Sequence, residues 1–486
     1  MEKIIRATNY CTHNHMSIAQ RYRHSYHVMP EIGWCNDPNG FTWYDGKVHL
    51  FYQFNPYSSV WDTMHWGHVT STDMVKWSYE PVALAPDKKY DICGCYSGSS
   101  VVKDGMLYLM YTGVDHNGKQ QQCLAVTADG KRFNKPYTAP VIGEDMLPQG
   151  VSALEFRDPY VFRKNGTYYC LIGTKCGDLG NIAVYSSVEL DRWHFVGFAF
   201  DPEDERCRLS DVYECPCLVD IGDREVLICS PKYKEQSGNK FENVHSVMYF
   251  VGSFDCESGR FTCENADEID GGFDFYAAQA TKLPDGRTVL VAWMQMWDRE
   301  MPTQPDGWAG AMTLPREITL DGNRLIQTPI KEIESYRANK AEYKNITLGG
   351  KDVSLDGIRG KRIELIAEFD AESATKCGVK VFSGENTHTT IYYDAQGKRI
   401  VLDRSNSEVS INGVEQNCAT RSVDVQTDGK IKLRIFLDNT SIEVFVGDGE
   451  YALTANAYSD AENDGVLFFA EGGATLKKVT KYDIIV

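Results

Sequence analysis

At 486 residues the chain is too long for one small core and suits two domains, or one large repetitive domain with an appendage. Hydrophobic residues at 42% and aromatics at 12% exclude a disordered chain, and there is ample apolar material for globular packing. A formal charge of -18 repels nucleic acid and anionic lipid, so no nucleic-acid or membrane partner is expected, although a local Lys/Arg cluster leaves room for a small phosphorylated ligand.

The opening segment, MEKIIRATNYCTHNHMSIAQRYRHSYHVMP, has no apolar core of the length a secretory signal needs. No later stretch approaches a membrane span, and a cytoplasmic location is expected. The 15 cysteines are odd in number and scattered, which fits reduced, mostly buried thiols better than a disulfide framework. Two pairs, Cys93/Cys95 and Cys215/Cys217, have C-x-C spacing without a companion C-x2-C, so no metal is expected.

From Asn36 onward the chain repeats itself weakly. Each unit is a polar or acidic start, an apolar strand, a D-G, N-G or G-D turn, and a second strand rich in β-branched and aromatic residues. The copies are NDPNGFTWYDGKVHLFYQFNP from Asn36, SGSSVVKDGMLYLMYTG from Ser97, RDPYVFRKNGTYYCLIGT from Arg157, ECPCLVDIGDREVLICSP from Glu214 and AAQATKLPDGRTVLVAWMQ from Ala277. The turn glycines Gly46, Gly105, Gly166, Gly222 and Gly286 mark β-hairpins. Five such units predict a five-bladed β-propeller over residues 1–328. Equivalent ends of successive inner strands then meet at the axis, which brings Asp37, Asp158 and Glu214 to one end of the channel.

Past residue 328 the pattern changes. TPIKEIESYRANKAEYKN is charged and helix-compatible, with Ile330, Ile333 and Tyr336 or Arg337 at helical spacing, and reads as a partly helical connector over 329–345. Alternating strands with Gly and Asp turns follow and predict a β-sandwich over 346–486. The fold expected is all-β, a propeller followed by a sandwich.

Two carboxylates flanking a glycosidic bond are the common requirement for hydrolysis with retention, one attacking the anomeric carbon and the other moving the proton. Asp37 sits in WCNDPNG, where Pro38 and Gly40 make a stiff turn able to aim a carboxylate. Glu214 has apolar neighbours Tyr213, Cys215 and Pro216, so a raised pKa suited to an acid/base is expected. Each feature alone has a plain structural reading: a surface turn, an ion pair for Arg157 and Asp158, a solvated strand end. Trp34 and Trp66 read as packing between blades, and His49, His65 and His68 as structural hydrogen-bonding groups.

The strings WCNDPNG, FYQFNP, WGH, YSGS, FRDP, ECP and FDFYAAQ, in this order, resemble glycoside hydrolase family 32. LRIFLDNTSIEVFVGDGEYALTA resembles its C-terminal sandwich, and GCYSGS and WAGAMTLPRE look most like the bacterial sucrose-6-phosphate hydrolase and β-fructofuranosidase branch. The resemblance implies a retaining β-fructofuranosidase acting on sucrose or sucrose 6-phosphate, with no cofactor. It implies Asp37 as nucleophile, Glu214 as acid/base and Asp158 as transition-state stabiliser. It further implies Asn36, Gln53, Trp61, Tyr96, Ser97 and Arg157 around the fructosyl unit, and Trp293 facing the leaving group. Cys35 and Tyr96 depart from the family's usual methionine and phenylalanine. A fructan exo-hydrolase or fructosyltransferase of the same fold, and a non-catalytic sugar-binding propeller, are the competing expectations. Lys232, Lys234 and Arg299 fall on loops that could approach the leaving group, although solvation is the ordinary fate of such residues.

Overall fold

The computed structural model describes residues 2–486 and shows five successive antiparallel sheets followed by two six-stranded sheets. The first strands of the five sheets are Gly33–Tyr44, Gly94–Lys103, Val151–Lys164, Tyr213–Ile221 and Tyr276–Lys282. Each packs on the next and the last returns to the first, so the ring closes as a propeller. Closure is sealed where Trp308–Ala309 pairs in parallel with Gly33 and Trp34, joining chain that follows the fifth blade's second strand to the first blade.

The hairpin turns obey the backbone chemistry of their residues. At Asp45-Gly46, Asp104-Gly105 and Asn165-Gly166 both residues have positive φ, the requirement of a tight hairpin turn whose twist matches its strands. Asp and Asn tolerate this region better than other non-glycine residues, and glycine adopts it without strain.

The two six-stranded sheets face each other as a sandwich whose core is filled by side chains such as Leu365, Val379, Leu433 and Phe468. The connector expected to be partly helical is helical in its first part only. Only Lys331–Tyr336 forms a 3-10 turn, pinned by fully buried Ile330 and Ile333. Arg337–Leu348 is a strand that pairs along Ala474–Ile484 at the edge of one sandwich sheet. Its charged residues face water from an edge position, which is why the composition suggested a solvated helix.

The expected propeller segment also carries an unrepeated lead. Glu2–Asn14 is an α-helix that buries Ala7 and Cys11, and the chain then crosses to the sandwich before entering the first blade. Along this crossing the Tyr26 hydroxyl donates to the Leu437 carbonyl at 2.6 Å, and His27 sits between two carboxylates, 2.8 Å from Asp438 and 2.9 Å from Glu443. Buried Arg316 of the fifth blade reaches Asp270 at 2.9 Å and Glu443 at 2.7 Å. Propeller and sandwich thus share an apolar cluster, to which the sandwich contributes Phe436, Phe445 and Tyr458, and a buried ionic network. His24, His27 and Asp438 are grouped closely enough to suggest metal ligands, but both His27 nitrogens already contact carboxylates. No helix among the described residues is long and apolar enough to cross a membrane. All 15 cysteines are free thiols, most of them buried.

Candidate active site

The inner strands share an irregularity that builds the site. Pairing slips between Cys35 and Pro38, Tyr96 and Gly98, Arg157 and Tyr160, Glu214 and Cys217, and Tyr276 and Gln279. Each slip is a β-bulge, which bends the strand and re-aims its side chains; four fall near the start of their strands and the third lies midway along the longer Val151–Lys164. Asp158 and Cys215 adopt positive φ inside their bulges, at 63° and 49°. The three acids therefore do not occupy one repeat position, as the sequence suggested. Glu214 precedes its bulge, Asp158 opens one and Asp37 closes one, so three offsets converge on one cavity of about 390 Å³.

Each carboxylate has its own holders. Ser97 donates to Asp37 Oδ2 at 2.6 Å and Asn36 Nδ2 to its Oδ1 at 3.1 Å, while Trp34 Nε1 fixes Asn36 at 2.8 Å. Asp158 accepts the Cys215 backbone N–H at 3.0 Å, and its own N–H donates to Thr112 Oγ1 at 2.9 Å. The Cys215 thiol lies 3.6 Å from both Asp37 Oδ2 and Asp158 Oδ2 and so links the two acids. Glu214 Oε1 receives Arg157 Nε at 3.0 Å and Nη2 at 2.8 Å, and Oε2 receives the Tyr276 hydroxyl at 2.6 Å.

These surroundings push the acids apart. Burial raises Asp37, against the Ser97 hydrogen bond, and the Glu214 charge adds to the rise. Asp158 is pushed up to about 7, chiefly by burial, with the Arg157 charge opposing and the Glu214 and Asp37 charges adding. Glu214 is the reverse of the expectation. Burial opposes its charge, but the cations Arg157 and Lys232 and the Tyr276 hydroxyl prevail and hold it at about 2. The apolar neighbours Tyr213 and Cys215 sit around its backbone, whereas its carboxylate is aimed at Arg157, a contact that local sequence does not reveal.

Nine of the ten residues singled out from sequence line this cavity. Asn36, Gln53, Ser97 and Arg157 are buried around the acids, and Trp61 and Tyr96 form an edge-to-face aromatic wall with centroids 5.8 Å apart. Trp293 is the exception. It ends the second strand of the fifth blade, is fully buried, and packs edge-on against Trp34 at 5.6 Å and Trp297 at 5.1 Å. The chain then leaves the sheet, and Trp297 supplies the aromatic face to the cavity. Arg299 is likewise remote from it, buried between Asp274 and Glu415 at the sandwich junction. Lys234 lies over the Phe241 ring at 4.8 Å, and only Lys232 of the three loop cations reaches the cavity. Tyr276, Cys215 and His245 are functional neighbours that sequence reasoning missed. Cys215 follows Glu214 directly in ECPC and Tyr276 lies within the motif FDFYAAQ, which was the available signal.

Acids of unlike environment at the mouth of a propeller, beside an aromatic wall and backed by a sandwich, define a glycoside-cleaving enzyme. The chain belongs to glycosyl hydrolases family 32: the family's N-terminal domain matches residues 27–329 and its C-terminal domain residues 332–484. It is 36% identical to a sucrose-6-phosphate hydrolase of Zymomonas mobilis over 94% of this chain and 91% of that protein. It is 35% identical to a raffinose invertase of Escherichia coli over 93% of each. The solved sucrose-6-phosphate hydrolase of Lactobacillus gasseri superposes with a TM-score of 0.88 at 29% identity, covering 98% of this chain and 96% of that one.

Proposed function

We propose that the protein hydrolyses the terminal β-fructosyl bond of sucrose or sucrose 6-phosphate by double displacement. The observation that carries this reading is the convergence of Asp37, Asp158 and Glu214 on one sugar-sized cavity with unlike partners for each. Asp37, held by Ser97 and Asn36, attacks the anomeric carbon and becomes the ester of a fructosyl-enzyme. Glu214 gives its proton to the departing glycosidic oxygen and then takes one from the water that cleaves the ester. Asp158 faces the ring as positive charge grows on it.

In the free site the proton resides with Asp158 rather than Glu214, so substrate binding must move it. A sugar hydroxyl that hydrogen-bonds Arg157 competes with Glu214 for the guanidinium, and Glu214 regains proton affinity. Trp61 and Trp297 offer flat apolar faces to the sugar. The propeller is read as the catalytic unit and the sandwich as its support, with the connector shortened to the turn before Arg337. The abundance of free thiols supports a reducing compartment, the cytoplasm.

Incubation of the purified protein with sucrose and with sucrose 6-phosphate tests the reading. Free fructose plus glucose or glucose 6-phosphate is expected. Release of no fructose from either substrate would overturn it.

A further inference from the structure

We propose that Lys232, assisted by His245, is the anion-recognising edge of the pocket and selects substrates whose departing sugar carries a phosphate. The inference rests on the β-fructosidase reading and narrows it to one leaving group.

Lys232 follows the strand Arg224–Pro231, and its backbone is anchored by a bond to the Val212 carbonyl at 3.1 Å. Its Nζ stands 3.8 Å from Glu214 Oε1, beyond hydrogen-bonding distance, and over the Tyr233 ring at 5.5 Å. Arg157 is different: its nitrogens are bonded to Glu214, Glu155 and Gln120. One cation of the site is therefore committed to protein carboxylates, and the other keeps its donors for a ligand.

His245 lies beside it. The Tyr233 backbone N–H donates to His245 Nδ1 at 3.2 Å, which places the ring proton on Nε2. The ring packs against Tyr233 at 4.6 Å and Tyr276 at 5.5 Å, and burial keeps it neutral at pH 7, a fixed single donor. The charges facing this pair are Glu214, Asp298 and each other. Asp298 is exposed, so solvent screens its repulsion of an anion.

Position assigns the pair to the departing sugar. Lys232 and His245 both neighbour Glu214, the group that protonates the leaving oxygen, whereas Asp37 is held by Ser97, Asn36 and Cys215. With a neutral leaving sugar the ammonium continues to act on Glu214 and disfavours its proton. A phosphate dianion draws that charge to itself, so the contact that binds the leaving group also lets Glu214 hold the proton it must donate. Lys232 thus acts on Glu214 through charge alone, across 3.8 Å and without a hydrogen bond, and its N–H groups remain open to a ligand oxygen in the cavity.

The test is kcat/KM for sucrose 6-phosphate and for sucrose in the wild type, Lys232→Gln and Lys232→Arg, each checked for unchanged melting temperature. A wild-type preference for the phosphorylated sugar of about tenfold or more is expected, the size of one charge-assisted hydrogen bond. In Lys232→Gln the ratio should approach one, and Lys232→Arg should keep most of it. A wild type without preference, or a variant in which both substrates lose activity in parallel, would overturn the inference while leaving the hydrolase reading intact. A wild type inactive on both would remove the reading on which it rests.

Discussion

Arg157 and Glu214 are locked side chain to side chain, with two guanidinium nitrogens at 3.0 and 2.8 Å from the same carboxylate oxygen. This pair holds Glu214 ionised at about 2 while burial lifts Asp158 to about 7, so the free site stores its proton on the wrong acid for leaving-group protonation. Because three carboxylates share the cavity, that proton belongs to the group as a whole. The expected consequence is an alkaline limb in kcat/KM. Activity should fall as pH rises through about 7, where the site loses its last proton and Glu214 can no longer receive one. A profile flat to pH 9 would contradict this account.

Ser97 donates at 2.6 Å to the carboxylate oxygen of Asp37 and favours its charged form. Ser97→Ala should lower kcat/KM by roughly ten- to a hundredfold, the worth of a hydrogen bond to a charged group. It should also move the acid limb to higher pH, because Asp37 then protonates more readily. Measurement of the full pH profile separates this shift from a simple loss of enzyme.

Trp293 and Trp297 are edge-on neighbours at 5.1 Å with opposite assignments. Trp293→Ala empties a fully buried position and should cost about 3–5 kcal/mol of stability. Trp297→Ala removes a cavity wall and should raise KM several-fold with little change in melting temperature. Thermal melts and steady-state kinetics on both variants check the division of roles.

His27 joins the N-terminal crossing to the sandwich. Burial works against its charge, but hydrogen bonds to Asp438 and Glu443 carry it up to about 9, above the value of roughly 6.5 in an unfolded chain. Its stabilisation is complete below about pH 6.5 and is lost as pH rises to about 9. Asp438 and Glu443 act in the opposite sense: they are held below their usual range, so their contribution fades as pH falls. Buried His24, lowered to about 4, also weakens the fold on the acid side. The wild-type melting temperature should therefore decline between pH 6.5 and 9, and the decline should be shallower in His27→Gln. At neutral pH that variant should lose about 3 kcal/mol, because Asp438 remains buried without a charged partner, whereas Glu443 keeps Arg316.

The propeller was legible because its turns are local chemistry. Asp45-Gly46, Asp104-Gly105 and Asn165-Gly166 announce hairpins wherever they fall, and with the turns at Gly222 and Gly286 their recurrence gives the five blades. The bulges were not legible, since a slip in pairing depends on the partner strand, and so the differing offsets of Glu214, Asp158 and Asp37 were read as one repeat position. The same limit explains Glu214. Its sequence neighbours are apolar, but Arg157 and Lys232, which set its charge, arrive from other segments of the chain. Trp293 was misplaced for a smaller reason: the end of a strand and the start of the following loop look alike in AWMQMW, and it is the loop tryptophan, Trp297, that lines the cavity. The strand Arg337–Leu348 was hidden because an edge strand with charges on its wet face has the composition of a surface helix.

The central claim is that Asp37 forms a bond to the fructosyl carbon, and a trapping experiment addresses it directly. Glu214→Gln should slow both steps, but a substrate with a good leaving group needs no proton to depart, so the fructosyl-enzyme should accumulate. Rapid acid quench, proteolysis and mass spectrometry should then find one hexosyl increment on the peptide carrying Asp37, and none when Asp37→Asn is added. A hexosyl group found on the Asp158 peptide instead, or burst turnover of the same substrate without any adduct, would contradict the account.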